Sequence, residues 1–179
     1  DGVAQNYFEY LKIPYTHSGV ISSYNAMNKI ISKEIFSENK IKTPKFFTIL
    51  KKYFSTPILK KNITNKKIKF PVVVKPINEG SSLGVKVCKN NKILISETKK
   101  LFKKYNQLIF EEYIRGQEIQ VAVINGNSLG AIELIPKRFF YDYKAKYTKA
   151  AKTEHVMPAK LKKNKYYEVL KIAKKVHKV

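Results

Sequence analysis

FPVVVKPINEGSSLGVKVCK, residues 70–89, decides how this chain is read. A compact apolar run over 70–75 ends on Lys75. The seven residues NEGSSLG follow (78–84), with two glycines and two serines among them. From Gly84 to Lys89, Val85 and Val87 alternate against Lys86, as in a strand with one wet face. Strand, loop and strand together predict a hairpin. The loop has two readings. It is a plain turn, or its backbone N–H groups wrap a phosphate, with glycine allowing close approach and unusual φ and serine adding donors.

Neither standard phosphate fingerprint fits. Gly80 and Gly84 are four apart and Val85 follows, so this is no G-x-x-x-x-G-K-[ST] loop. A dinucleotide fingerprint needs strand, loop and helix, whereas a strand follows here. Lys75 favours the phosphate reading. A cation closing a buried strand is costly without a partner, and a phosphate beside the loop would be one.

Outward from that hairpin, apolar spacing predicts a helix over 3–12 through Tyr7, Phe8 and Leu11. A second is predicted over 23–39 through Met27, Ile30, Ile31 and Ile35. KFFTIL (45–50) reads as a strand, and 51–69 as an ill-defined helix and loop. Ser96 is the expected N-cap of a helix ending near Tyr105. Strands follow at 108–114 and 118–124. Asn125-Gly126 is a tight-turn signal that pairs the latter with 129–135. Residues 137–157 read as an ordered aromatic loop, and 166–179 as a helix. The fold class is α+β: a helix-bearing lobe with a small antiparallel sheet, then a second sheet lobe from about residue 109.

Composition narrows the functions. The 179 residues are 44% hydrophobic, enough for one domain or two small lobes. No run approaches the ~20 apolar residues of a membrane span. The single cysteine, Cys88, excludes an internal disulfide and a cysteine-rich zinc site, and fits a reducing, cytoplasmic home. It is expected as a half-buried strand residue. The net charge of +23 is nearly all lysine, with only Arg115 and Arg138 as arginine. Readers of base edges rely on the arginine fork, and these lysines mark no one segment. Codon bias is the favoured source of the charge, and a polyanion-binding module is the competing class. The abrupt start at Asp1-Gly2 and the lysine-rich helical end lead us to expect a piece of a longer chain.

Two further stretches carry chemistry. LIFEEYIRGQE (108–118) sets Glu111 and Glu112 at a strand end and Glu118 seven residues after Glu111. Such an edge can offer a carboxylate to an adenine amine, a backbone N–H to the ring and a carboxylate to ribose. Exposed acids on a basic protein are the plainer alternative. FFYDYKAKYT (139–148) sets four aromatics before Ala145-Lys146-Tyr147. It reads equally as a packed aromatic loop.

In order and spacing, "DG.AQ", "IPYTHSGV", "AMNK", "VVVKP.NEGSSLGV", "IFEEYI.GQE", "FYDYKAKYT" and "MPA" resemble the D-alanine–D-alanine ligases, ATP-grasp enzymes of bacterial cell-wall synthesis. The resemblance covers essentially the whole chain. It implies two β-rich lobes gripping ATP, with the C-terminal lobe incomplete. Residues 1–24 would end an N-terminal substrate lobe, 25–108 form the central lobe and 109–179 begin the C-terminal lobe. Lys29 and Lys75 resemble the lysines on the α- and β-phosphates. Glu79, Gly80, Ser81, Ser82, Leu83 and Gly84 resemble the mobile loop closing over the phosphates, and Ser81 the serine that organises the substrate site. Glu111 resembles the adenine-amine partner. Glu112, Tyr113 and the Ile114 backbone lie along the adenine edge, and Glu118 resembles the ribose ligand. Lys146 resembles the γ-phosphate lysine, and Tyr147 the tyrosine that meets Ser81.

The implied reaction activates one D-alanine as an acyl phosphate, which the amine of a second attacks. The implied cofactors are ATP and Mg²⁺ (or Mn²⁺), the metal ligands lying past the C-terminal end. The implied partners are D-alanine substrates and, for the complete enzyme, a second copy, with no nucleic acid or membrane. A relative joining D-alanine to D-lactate or D-serine is the nearest alternative. Asn28 for the usual Asp, His17 for a glycine and Lys144 for a Glu depart from the pattern. On this reading the fragment is inactive by itself.

Overall fold

Val72, Val73 and Val74 are consecutive and all buried, so their strand must be covered on both faces. The computed structural model describes residues 1–137 and 153–179. It divides into two units: residues 1–35 with 43–113, and residues 36–42 with 114–179.

The first unit begins with helices α1 (Val3–Tyr10) and α2 (Val20–Met27). Helix α3 (Lys29–Glu38) follows, and residues up to Ile35 belong to this unit. The single helix expected over 23–39 is therefore two. Asn28 takes an extended conformation, and its Oδ1 accepts the N–H groups of Ile30 and Ile31 at 3.0 and 3.3 Å. That side chain caps the second helix where continuous apolar spacing hid the break.

Strand β1 (Phe46–Leu50) precedes a 3₁₀ turn (Lys51–Tyr53) and helix α4 (Thr56–Asn65). The region read as ill-defined thus holds a proper helix, capped by the Ser55 hydroxyl, with Leu59 and Ile63 buried. Strands β2 (Val72–Pro76) and β3 (Lys86–Cys88) form the expected antiparallel hairpin, with Val72 opposite Cys88 and Val74 opposite Lys86. Helix α5 (Asn91–Leu101) starts earlier than expected. Asn90 is its N-cap, not Ser96, because the Asn90 Oδ1 accepts the Ile93 N–H at 3.0 Å. Strand β4 (Gln107–Glu112) completes an antiparallel sheet of order β1-β4-β2-β3.

One face of this sheet is the core. Phe47, Ile49, Val72, Val74, Cys88, Leu108 and Phe110 cluster with Leu59 and Ile63 of α4 and Leu94 and Leu101 of α5. The Phe47 and Phe110 rings stack with centroids 4.9 Å apart. Cys88 is fully buried there and not half-buried: pairing with Val72 turns it, and not Val87, toward the helices. Strand alternation then puts Val73, Lys75, Ile109 and Glu111 on the opposite face.

The second unit is built on strands β5 (Glu118–Ile124), β6 (Asn127–Ile135) and β7 (Glu154–Val156), antiparallel in that order, and helix α6 (Lys163–Lys178). Asn125 and Gly126 both have positive φ, 49° and 72°, as the tightest two-residue hairpin turn requires. Glu133 is buried and both its oxygens are bonded. Oε1 accepts from Gln117 Nε2 at 2.8 Å and Oε2 from the Lys160 N–H at 3.3 Å. The Tyr166 hydroxyl of α6 accepts the Ala131 N–H at 3.2 Å. Among the described residues no helix is long and apolar enough to cross a membrane.

Candidate functional site

The sheet face opposite the core carries charge where an ordinary two-layer domain would carry hydrocarbon. Glu111, one position from the end of β4, is buried, and its register partner on β2 is Val73. Lys75 stands two residues further along β2, on the same face. Its Nζ lies 2.5 Å from Glu111 Oε2. A second ammonium, that of Lys33 on α3, lies 3.1 Å from Glu111 Oε1. The Lys33 and Glu111 side chains are 9% and 7% exposed, against 21% for Lys75. Lys75 is thus the member of the trio that solvent or a ligand can reach.

Lys29 joins this group from the first turn of α3. Its backbone N–H donates to the Ile77 carbonyl at 3.0 Å. Its Nζ donates to the Glu79 carbonyl at 2.6 Å and the Ile77 carbonyl at 3.3 Å. The Asn28 cap fixes where the helix starts, and these bonds tie that start to the entrance of the 78–84 loop. Burial holds the Lys29 pKa below the usual lysine range, and repulsion from Lys75 lowers it further, against the pull of Glu111 and Glu79. Burial lowers Lys33 as well, with Glu111 opposing. Two ammoniums thus share one buried carboxylate, with the Lys29 ammonium and the Glu79 carboxylate nearby. The residual charge is positive, and an anion would relieve it.

Within the loop, Ser81 and Ser82 have φ of 49° and 59°. Left-handed backbone at consecutive non-glycine residues is uncommon and concentrates at functional sites. The two glycines differ. Gly84 has φ 72°, and a Cβ there would lie 2.8 and 2.9 Å from the Pro76 ring carbons. At Gly80 a Cβ would meet nothing within 4 Å. Gly84 is therefore dictated by packing and Gly80 is not. The Leu83 N–H donates to the Gly80 carbonyl at 2.9 Å, so it is engaged within the loop, while the Leu83 side chain is exposed.

The structure brings together Lys29, Lys75, Glu79 and Glu111 in the first unit, with residues 80–84 continuing from Glu79. Glu112 alternates away from Glu111, and its N–H completes the β1 edge at Lys45 O. The Tyr113 N–H donates to Pro71 O at 3.4 Å. Ile114 and Glu118 belong to the second unit, where both are exposed. Lys146 and Tyr147, with Lys144, lie outside the described residues. Among the described residues no group of three or more His, Cys, Asp or Glu side chains could hold a metal ion. Sequence reasoning missed Lys33. The signal was its placement four residues after Lys29, on the same helical face.

Known proteins place these features in a family. The sequence profile described as D-ala D-ala ligase C-terminus matches residues 35–179. The D-alanine--D-alanine ligase of Pelagibacter ubique is 52% identical over all 179 residues, which make up 58% of its length. That of Wolbachia pipientis wMel is 44% identical over 99% of this chain and 54% of its own. The chain spans about half the length of the curated relatives it matches. Among solved structures, D-alanine--D-alanine ligase from Bacillus anthracis superposes on 99% of the chain and 56% of its own, with a TM-score of 0.81 and 34% identity. VanG D-Ala:D-Ser ligase from Enterococcus faecalis covers 99% of the chain and 52% of its own, with a TM-score of 0.83 and 26% identity. By the profile match, the relatives and the shared fold, the chain belongs to the D-ala D-ala ligase C-terminus family.

Proposed function

We propose that this chain is the nucleotide-gripping part of an ATP-dependent ligase that joins two D-alanines for peptidoglycan precursor synthesis in the cytoplasm. One observation carries the reading. Two ammoniums, from Lys33 and Lys75, converge on the single carboxylate of Glu111, and a third, from Lys29, sits on the Ile77 and Glu79 carbonyls at the entrance of the 78–84 loop. That residual charge fits a polyphosphate, and Lys29 and Lys75 are the two cations assigned to its α and β groups. A Bacillus anthracis relative superposes on this chain, with a TM-score of 0.78 and 28% identity, as a complex with ATP.

Bound ATP would supply the phosphoryl group that activates a carboxylate. The chain's own residues bind, orient and exclude water. The Lys29 ammonium already sits on two carbonyls of the loop entrance, so phosphate oxygens would replace or join those acceptors. Lys75, the more exposed partner of Glu111, turns from the carboxylate to phosphate. Residues 79–84 close over it, with Ser81 toward the substrates. The Glu111 carboxylate takes the adenine amine, and Glu112, Tyr113 and the Ile114 backbone form the adenine edge. Glu118 takes ribose. Lys146 and Tyr147 are assigned to the γ-phosphate and to closure over Ser81, on resemblance alone. Placing charges and excluding water in this way is how phosphoryl-transfer sites accelerate reaction. Residues 1–24, 25–108 and 109–179 are assigned to the end of a substrate lobe, a central lobe and the start of a C-terminal lobe. The complete enzyme is assigned as an Mg²⁺-dependent homodimer.

The test is D-alanine-dependent phosphate release by the complete gene product, with D-serine and D-lactate as acceptors in parallel. Lys75→Ala should lower the rate by at least about a hundredfold, the usual loss for one electrostatic donor. The 179 residues alone should release none. An unchanged rate in Lys75→Ala, or D-alanine-dependent phosphate release by the 179 residues alone, would overturn the assignment.

A further inference from the structure

The roles above leave Lys33 without one, yet it is the most enclosed cation of the group. Its Nζ lies 3.1 Å from Glu111 Oε1, donates to the Pro44 carbonyl at 3.1 Å, and sits 4.8 Å above the centre of the Phe46 ring. That cage encloses the ammonium, so Lys33 is not placed to reach a ligand. It acts on Glu111. A carboxylate paired with Lys75 alone would close into a neutral couple, and a phosphate would have to break it. With a second cation fixed on Oε1, the Oε2 contact to Lys75 becomes one of two, and the trio keeps a net positive charge.

We propose that Lys33 is a positioning residue: it serves as the standing counter-ion of Glu111, fixing that carboxylate through Oε1 so that Lys75 remains available to phosphate. This rests on the nucleotide reading above. The alternative, a salt bridge that only stabilises the fold, makes no demand on phosphate affinity.

Tripolyphosphate separates the two, because it carries the phosphate charge without the adenine assigned to Glu111. Its affinity for this chain is measured calorimetrically, well below the unfolding midpoint, for the parent, Lys33→Met, Lys33→Arg, Glu111→Gln and the Lys33→Met/Glu111→Gln pair. Lys33→Met should bind about tenfold more weakly, equivalent to about 1.4 kcal/mol. Lys33→Arg should restore most of the affinity. Adding Glu111→Gln to Lys33→Met should restore it too, because Lys75 then has no carboxylate to hold it. Parent affinity in Lys33→Met, or no recovery in the double variant, overturns the proposal and leaves the nucleotide reading standing. A parent that binds neither tripolyphosphate nor ATP overturns both. Should Lys33→Met fail to fold, Glu111→Gln decides. The proposal requires it to bind tripolyphosphate at least as tightly as the parent, and weaker binding refutes it.

Discussion

Replacing Glu111 by Gln keeps the shape of the side chain and removes the one charge on which Lys33 and Lys75 converge. At an effective dielectric of 20, the contacts at 2.5 and 3.1 Å correspond to about 7 and about 5 kcal/mol of attraction. Desolvation of three ions and repulsion between the lysines offset most of that. What a variant feels is the cost of leaving cations unpaired, typically ~3–5 kcal/mol for a broken buried pair. Lys75 is one-fifth exposed and can turn to water, while Lys33 is enclosed, so the loss should sit near the low end, about 3 kcal/mol. Cys88 supplies the assay. It is the chain's single thiol and lies fully buried in the core of the same unit. Thiol labelling against urea therefore follows that unit alone. With a slope of ~1–3 kcal/mol/M, the midpoint should fall by about 1–3 M. Lys33→Met/Glu111→Gln should recover much of the loss, since it leaves only the more exposed cation. A midpoint shift under about 0.3 M at unchanged slope would show that the three charges do not form a coupled buried cluster.

Three further outcomes are expected. Gly84→Ala should cost about 2–4 kcal/mol by urea unfolding, from left-handed backbone and overlap with the Pro76 ring, whereas Gly80→Ala should stay within about 0.5 kcal/mol of the parent. Nucleotide affinity should decline with rising pH sooner than an ordinary lysine, pKa ~10.4, would dictate, because Lys29 titrates below that value; Lys29→Arg should flatten the decline. The same lowered values in Lys29 and Lys33 mean that the unfolded chain binds more protons between the folded and unfolded pKa, so these two groups favour folding more as pH rises through that window. Burial, then the Glu97 charge, pushes the Cys88 thiol up to about 11, so thiol reagents at pH 8 should modify it only at the rate at which the core opens.

Much of the first unit could be read from residues alone because its signals are local. Three valines ending in Lys75, a glycine loop and an alternating run fix a hairpin. Asn125-Gly126 fixes another, since few residue pairs accept two positive φ angles in succession. The failures share a cause: side chains that bond to backbone. Asn28 splits a helix whose apolar spacing runs on unbroken, and Asn90 captures a helix start that Ser96 also could have taken. Sequence decides neither, because an asparagine inside an apolar-spaced run need not cap, and Asn90 and Ser96 both have the right chemistry. Lys33 was hidden differently. In a chain with 36 lysines and arginines, one more lysine carries no weight until a buried carboxylate is found beside it. Glu111 was legible as a strand-end acid, but its burial between two cations is a tertiary fact.

The central claim is that Lys75 and the loop following it hold the phosphates of ATP. Calorimetric titration of this chain with ATP, parent against Lys75→Ala, tests it most directly. The account predicts binding by the parent and an affinity lower by at least about tenfold in the variant, a change of about 1.4 kcal/mol or more. Equal affinity in the two proteins would contradict it.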